Sequence, residues 1–386
     1  MKELSARTAT FTDSVIRRMT RVSLKYGAVN LSQGFPDFNP PHALTDALKN
    51  VAVTGPHQYA ITWGAQNFRE ALAAKQRLFM GIDIDPNTDI VVTCGSTEAM
   101  MCAMMTVTDP GDRVIIFSPF YENYAADTIL CGAEPVYVPL NPPDFGFDPE
   151  VLEDAFRGGA KALVLCNPSN PCGKVFTEEE LTVIAHLAEK YDAYVITDEV
   201  YEHIVYAPSK HIYFASLPNM RERTISCSSL SKTYSITGWR LGYIIASPEI
   251  IETARKVHDF LTVGAAAPLM EAAVAGLTLG ADYYKELQNT YTAKRDLFLN
   301  GLDTLKIAHT NPQGAYYVLL DISEYGYEDD LLFCEDMAEK VGVGAVPGSS
   351  FFKEPVNHLI RLHFAKQEST LEEALNRLEK LRTMKR

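Results

Sequence analysis

The chain has 386 residues, enough to bury a large core and to form more than one domain. Its 47% hydrophobic and 22% charged content is that of a soluble globular protein. With 35 basic against 49 acidic residues, the net charge of −14 argues against a nucleic-acid or anionic-membrane partner.

Strand and helix alternate through the middle of the chain. A β-branched run at 90–93 is followed by Gly95, Ser96, Thr97 and Glu98, then by an apolar helical stretch over 99–107. A strand at 113–117, a helix from about Tyr121 and a strand at 135–138 come next. Strands follow at 162–165, 193–197, 224–226 and 242–246, and Thr177 with Glu180 predicts a capping box opening a helix. Mostly apolar strands separated by helices predict a sheet buried on both faces, the three-layer α/β class. Beyond about Asp282 the pattern changes to a long charged helix over 283–300, a strand at 316–320, a helix at about 329–341, a strand at 359–364 and a last amphipathic helix from Leu371. That succession predicts a smaller α+β domain.

Seven cysteines without a Cys-x-x-Cys pair fit a reducing compartment. The nine histidines form no metal-ligand cluster, so no metal site is expected. The opening residues lack an apolar leader core, and no run approaches the length of a membrane span. A cytoplasmic enzyme is the expectation.

The stretch from Ser229 to Gly242 is the most informative. It holds Lys232 among small hydroxyl residues with Arg240 eight positions on. A lysine partly desolvated beside a second cation loses pKa and can attack a carbonyl to form a Schiff base. Ser229, Ser231 and Arg240 offer the hydroxyl donors and the charged fork that suit a phosphate. A Schiff-base lysine beside a phosphate cradle suggests pyridoxal 5'-phosphate (PLP). The segment resembles the lysine motif of the class I/II aminotransferases, the fold-type I PLP enzymes, and the opening run from Leu31 to Phe38 looks most like their kynurenine/glutamine/methionine branch.

That resemblance extends along the chain. It implies a large PLP-binding domain with a mainly parallel sheet at 42–285, and a small domain made of 1–41 and 286–386. Asn170, in the doubled Asn-Pro run from Asn167 to Gly173, matches the residue that donates to the cofactor's phenolic oxygen; as residue types alone, these also describe a tight turn. Asp198 at a strand end matches the carboxylate beside the pyridine nitrogen, and Tyr201 a partner of the phenolic oxygen. A carboxylate there keeps the ring nitrogen protonated. Gly95, Ser96 and Thr97 match the first phosphate element, at a helix N-terminus where backbone N–H groups receive an anion, although Ser and Thr are also plain N-caps.

By the same resemblance Tyr121 stacks on the ring, with core packing as the alternative reading. Tyr59 reaches the phosphate from a neighbouring subunit, which implies a homodimer with shared sites. Arg361 grips the substrate carboxylate beside Gly34, or is a paired core arginine. The implied reaction is ping-pong transfer of an amino group from an L-amino acid to a 2-oxo acid, an EC 2.6.1 activity. No second arginine follows Arg255 in the run from His258 to Pro268, which tilts the expected donor towards aromatic, methionine-like or neutral side chains. A carbon–sulfur lyase or an amino-acid oxidase could use the same cofactor site. A nicotinamide dehydrogenase is disfavoured by the lack of a Gly-x-Gly-x-x-Gly run between strand and helix.

Overall fold

The computed structural model describes residues 4–384. The chain opens with α1 (Val15–Tyr26), whose N-cap Ser14 accepts a hydrogen bond from the Arg17 N–H, and a short strand β1 (Val29–Asn30). Two helices follow, α2 (His42–Thr54) and α3 (Gln66–Met80).

The alternating region then runs β2 (Ile90–Thr93), α4 (Ser96–Val107), β3 (Arg113–Ser118), α5 (Asn123–Leu130), β4 (Glu134–Asn141), β5 (Gly146–Phe147), α6 (Pro149–Arg157) and β6 (Ala160–Cys166). It continues with α7 (Glu178–Lys190), β7 (Tyr194–Asp198), β8 (Thr224–Ser229) and β9 (Gly242–Ile245). The capping box at α7 forms as read, with Thr177 and Glu180 each holding the other's backbone N–H. Strand β8 runs three residues further than the apolar pattern predicts. Ser228 and Ser229 have little strand propensity, but they pair with Tyr243 and Gly242 across the sheet.

These eight strands form one sheet in the order β2-β9-β8-β7-β6-β3-β4-β5. The central pairs β8-β7-β6-β3-β4 are parallel, and β2, β9 and β5 join antiparallel. Alternate residues feed opposite layers, as the period of a strand requires. Val114 and Ile116 pack with α4 and α8 (Pro248–Thr262), whereas Ile115 and Phe117 pack towards α6 and α7. Ile90, Val92 and Ile245 face α3 and α9 (Ala267–Leu277). The result is the three-layer α/β/α architecture.

The remainder comprises α10 (Ala281–Leu305), β10 (Tyr317–Asp321), α11 (Asp330–Asp336), β11 (Val343–Gly344), β12 (Val346–Pro347), β13 (Leu359–His363) and α12 (Glu368–Leu378). The helix expected over 329–341 is two pieces, α11 and a π-helical turn at Met337–Val341. Strands β10, β13 and β12 make an antiparallel sheet, and β1 pairs in parallel with β11, Val29 opposite Val343. Met19 and Leu31 therefore share a core with Phe298, Leu302, Leu362 and Leu371. Among the described residues no helix is long and apolar enough to cross a membrane.

Phe298 on α10 is fully buried in that shared core. Phe298→Ala is expected to cost about 3–5 kcal/mol of unfolding free energy, read from a denaturant titration.

Candidate active site

The carboxyl ends of β7 and β8 open into a cleft of 790 Å³. Asp198 ends β7 and Lys232 lies three residues past the end of β8. The Lys232 Nζ donates to the Gly34 carbonyl at 3.2 Å and sits 5.9 and 5.8 Å from the Tyr201 and Tyr316 rings. Burial and the charges of Arg240 and Arg361 lower its pKa to about 8, against the opposing pull of Asp198. Burial raises Asp198 above the usual carboxylate value. Its oxygens accept only from neutral donors, the Tyr124 hydroxyl at 2.6 Å and the Val200 N–H at 3.3 Å. It is a buried carboxylate in want of a cation.

At one end of the cleft α4 begins. Ser96 and Thr97 present the helix N-terminus, and Ser231 and Arg240 line the same cavity. Two glycines allow this closure. A Cβ on Gly95 would overlap the Arg240 guanidinium, and one on Gly242 would overlap the backbone of Gly95 and Ser96. Arg240 itself holds a left-handed backbone (φ 54°) and donates to the Thr237 carbonyl at 3.0 Å. Free N–H groups, hydroxyls and a guanidinium at one spot suit a dianion.

At the opposite side stands Arg361, from the middle of β13, 1% exposed. Its guanidinium donates to Asn170 Oδ1 at 2.7 Å and to the Ser32 carbonyl at 2.9 Å, and lies 4.3 Å from the Tyr317 ring and 4.5 Å from that of Phe351. Its Nε has no partner, and no carboxylate among the described residues pairs with it. A buried cation without a counter-charge is costly unless something supplies one.

Gly34, Ser96, Thr97, Tyr121, Asn170, Asp198, Tyr201, Ser231, Lys232, Arg240 and Arg361 all line the one cleft. Ser229 is turned inward, its hydroxyl accepting from the Ser231 N–H at 3.3 Å and so bracing the turn that carries Lys232. Tyr59 is 89% exposed on the surface of the single chain. Sequence reasoning missed Tyr124, Tyr316 and Tyr317. The Tyr317 hydroxyl lies 2.9 Å from that of Tyr201, and Tyr316 donates to the Gly34 carbonyl at 2.8 Å. The Tyr124 ring meets that of Tyr121 edge to face at 5.8 Å between centroids. Also missed was Glu98, which accepts from the Cys94 N–H and meets His258 Nδ1 at 2.6 Å, binding the end of α8 to the start of α4. No three His, Cys, Asp or Glu side chains among the described residues gather as a metal site.

Residues 26–378 match the family of class I and II aminotransferases. The chain is 36% identical over 369 residues to the methionine aminotransferase of Escherichia coli, covering 95% of this chain and 96% of the other. It is 34% identical over 396 residues to human kynurenine–oxoglutarate transaminase 1, covering 93% and 94%. The structure of N-succinyldiaminopimelate aminotransferase from Mycobacterium tuberculosis superposes with a TM-score of 0.94 at 36% identity, covering 98% of this chain and all of the other. This chain belongs to the class I and II aminotransferase family and is a PLP-dependent transaminase.

The donor set fits that cofactor. PLP brings an aldehyde, a phosphate and a ring nitrogen that is most useful when protonated. The cleft offers a nucleophilic amine, a helix N-terminus with Arg240, and the carboxylate of Asp198, which lacks a cation. Overpacking at a close backbone contact typically costs about 1–3 kcal/mol. Gly242→Ala is accordingly expected to weaken PLP binding, read by titrating apoprotein fluorescence. Pyridoxal labelling of Lys232 in the apoprotein, trapped with borohydride, should rise with pH through a midpoint of about 8. A free lysine would give a midpoint of about 10.4. Because the Asp198 charge holds that value up, Asp198→Asn should move the midpoint lower still.

Proposed function

We propose that this transaminase takes neutral, methionine-like or aromatic L-amino acids as donors, with Arg361 as the carboxylate anchor and Lys232 as the base. The observation that carries the reading is Arg361, a buried guanidinium with an unpartnered Nε and no carboxylate of its own. A substrate α-carboxylate supplies the missing anion, and a planar fork receives it bidentately. Phe35, Met101, Tyr121, Leu130 and Leu261 provide apolar lining for the side chain. The methionine and kynurenine enzymes among the relatives agree with that lining.

In this reading Ser96, Thr97, Ser231 and Arg240 hold the phosphate, Asp198 faces the ring nitrogen, and Tyr121 covers the ring. Asn170, oriented by its bond to Arg361, and Tyr201 face the phenolic oxygen. When bound, PLP supplies an electron sink that weakens the bonds at the substrate Cα. With its pKa lowered to about 8, Lys232 has a substantial unprotonated fraction near neutral pH and can take up the Cα proton. The Gly34 carbonyl and the surrounding tyrosine rings hold its Nζ in place.

The same reading makes the enzyme a homodimer of two-domain subunits, divided at 42–285 against 1–41 with 286–386, with α10 continuous across the boundary. Thr62 Oγ1 donates to Asp259 at 3.3 Å, drawing the loop of exposed Tyr59 and Ile61 against exposed Phe260, Leu261 and Val263. An apolar surface of this kind beside the cleft suits a second copy of the chain. Seven unpaired cysteines support a reducing, cytoplasmic setting.

Lys232→Ala is expected to remain folded yet lose transamination, a general-base contribution of about 10²–10⁴ being the least that disappears. A panel of L-amino acids with a 2-oxo acid acceptor, scored by oxo-acid formation, ranks the donors. Preference for a charged donor over methionine and phenylalanine would refute the substrate reading. Co-expressed Lys232→Ala and Tyr59→Ala subunits should recover activity that neither has alone, because a mixed dimer keeps one intact shared site. Absence of recovery, with mixed dimers demonstrated, would refute shared sites.

A further inference from the structure

The proposed function, on which the following rests, places the cofactor's phosphate at the start of α4, and an anion already stands there. Glu98 lies in the first turn of α4, directly after Ser96 and Thr97, and lines the same cavity as Ser231 and Arg240. One of its oxygens accepts from the Cys94 N–H, in the turn that leads into Gly95, and Cys94 lies within the field of Arg240. Burial alone would raise the Glu98 carboxyl, but the bonds from His258, the Cys94 N–H and Thr262 outweigh it and hold the group below the usual carboxylate range. A negative charge in a helix's first turn suits the helix dipole. It repels a phosphate bound at the same helix start.

The counter-charge comes from α8. The His258 ring is fully buried, with Nδ1 2.6 Å from Glu98 Oε1 and Nε2 3.0 Å from the Thr62 carbonyl. A carbonyl oxygen only accepts, so Nε2 carries a hydrogen. An ionised carboxylate also only accepts, so Nδ1 carries one as well. An imidazole with hydrogens on both nitrogens is a cation. Among the described residues His258 is the only cationic group paired with Glu98. The other charged side chains at this end of α8 are turned elsewhere. Arg255 stacks 4.6 Å from the Trp63 ring and donates to the Asn87 carbonyl, and Asp259 accepts from Thr62 Oγ1 at 3.3 Å. Thr262 donates its hydroxyl to Glu98 at 2.8 Å and adds no charge.

We propose that His258 is held as an imidazolium and cancels the Glu98 charge beside the cofactor's phosphate, which makes it a positioning residue for PLP. Glu98 keeps the Cys94 N–H, and with it the turn before α4, in place. The pair then presents no net charge to the incoming dianion. Its burial protects it from the salt screening that weakens exposed pairs. Through Nε2 the same ring holds the loop that carries Tyr59.

The test titrates the full-length apoprotein with PLP and with pyridoxal, which lacks the phosphate, and takes the ratio of the two affinities from protein fluorescence at fixed ionic strength. In His258→Gln the preference for PLP is expected to fall about tenfold, the scale of one uncompensated charge near a dianion. The double variant His258→Gln/Glu98→Gln should recover most of that loss, which a purely structural role for His258 would not allow. Glu98→Gln alone should keep the preference at or above the wild-type value, and it serves if His258→Gln does not fold. Nitrogen NMR of isotope-labelled histidines in the wild-type protein should show both nitrogens of the His258 ring protonated near neutral pH. An unchanged preference in His258→Gln, no recovery in the double variant, a fall in Glu98→Gln or a neutral His258 ring would each overturn the proposal while the phosphate assignment stands. Arg240→Gln tests that assignment separately, since it should lower the preference for PLP whatever the state of His258. A wild-type apoprotein without preference for PLP over pyridoxal would overturn both.

Discussion

Two neighbouring parallel strands end in groups of opposite demand, and the site depends on the electrostatic balance between them. Asp198 closes β7 opposite Cys227 of β8, and the chain leaving β8 turns at once to place Lys232 within its field. Burial penalises the charged form of both groups, raising the carboxylate and lowering the amine. Arg240 and Arg361 push the amine down while Asp198 holds it up, so it settles at about 8. Without the carboxylate the lysine would be a weaker cation still. Burial is the largest cause of the lowering, and the arginines add to it.

That balance needs a rigid frame, and a buried ionic knot provides part of it. The turn after β7 carries Tyr201 and then Glu202, whose side chain is 1% exposed. Glu202 accepts from Lys75 at 3.0 Å, Gln76 at 3.1 Å, Tyr213 at 2.6 Å and Tyr243 at 3.1 Å. Burial alone would raise its pKa, but Lys75 and these donors outweigh it and hold the carboxylate well below its usual range. Burial and Lys75 lower the adjacent His203 to about 3, leaving it neutral. A fully satisfied buried pair contributes little net stability, yet removing one partner is strongly destabilising. Its geometric effect is to tie α3, the Tyr201 turn and β9 together.

Lys232, Asp198, Asn170 and the Gly95–Thr97 turn were legible because each lies in a short local pattern: a strand end, a tight turn or a helix start. The parallel core strands were legible for a related reason, their apolar runs being too continuous for a one-sided sheet. Ser229 pairs with Gly242 at the end of β8, and its hydroxyl accepts from the Ser231 N–H within the turn that carries Lys232. Tyr316 and Tyr317 carried no local sign of function, since two adjacent tyrosines opening a strand read as core.

Residue chemistry and apolar periodicity along the chain pointed to the cofactor and the layered fold, since both follow from patterns spanning a few residues or a repeated period, while the reaction class came from the resemblance of the motifs to a known family. Only tertiary structure decided which distant groups meet. Arg361 reaches Asn170 across 191 positions and the Ser32 carbonyl across 329. Such encounters leave no local trace in the sequence, because the contact is specified by the packing of whole layers and not by the residues that make it.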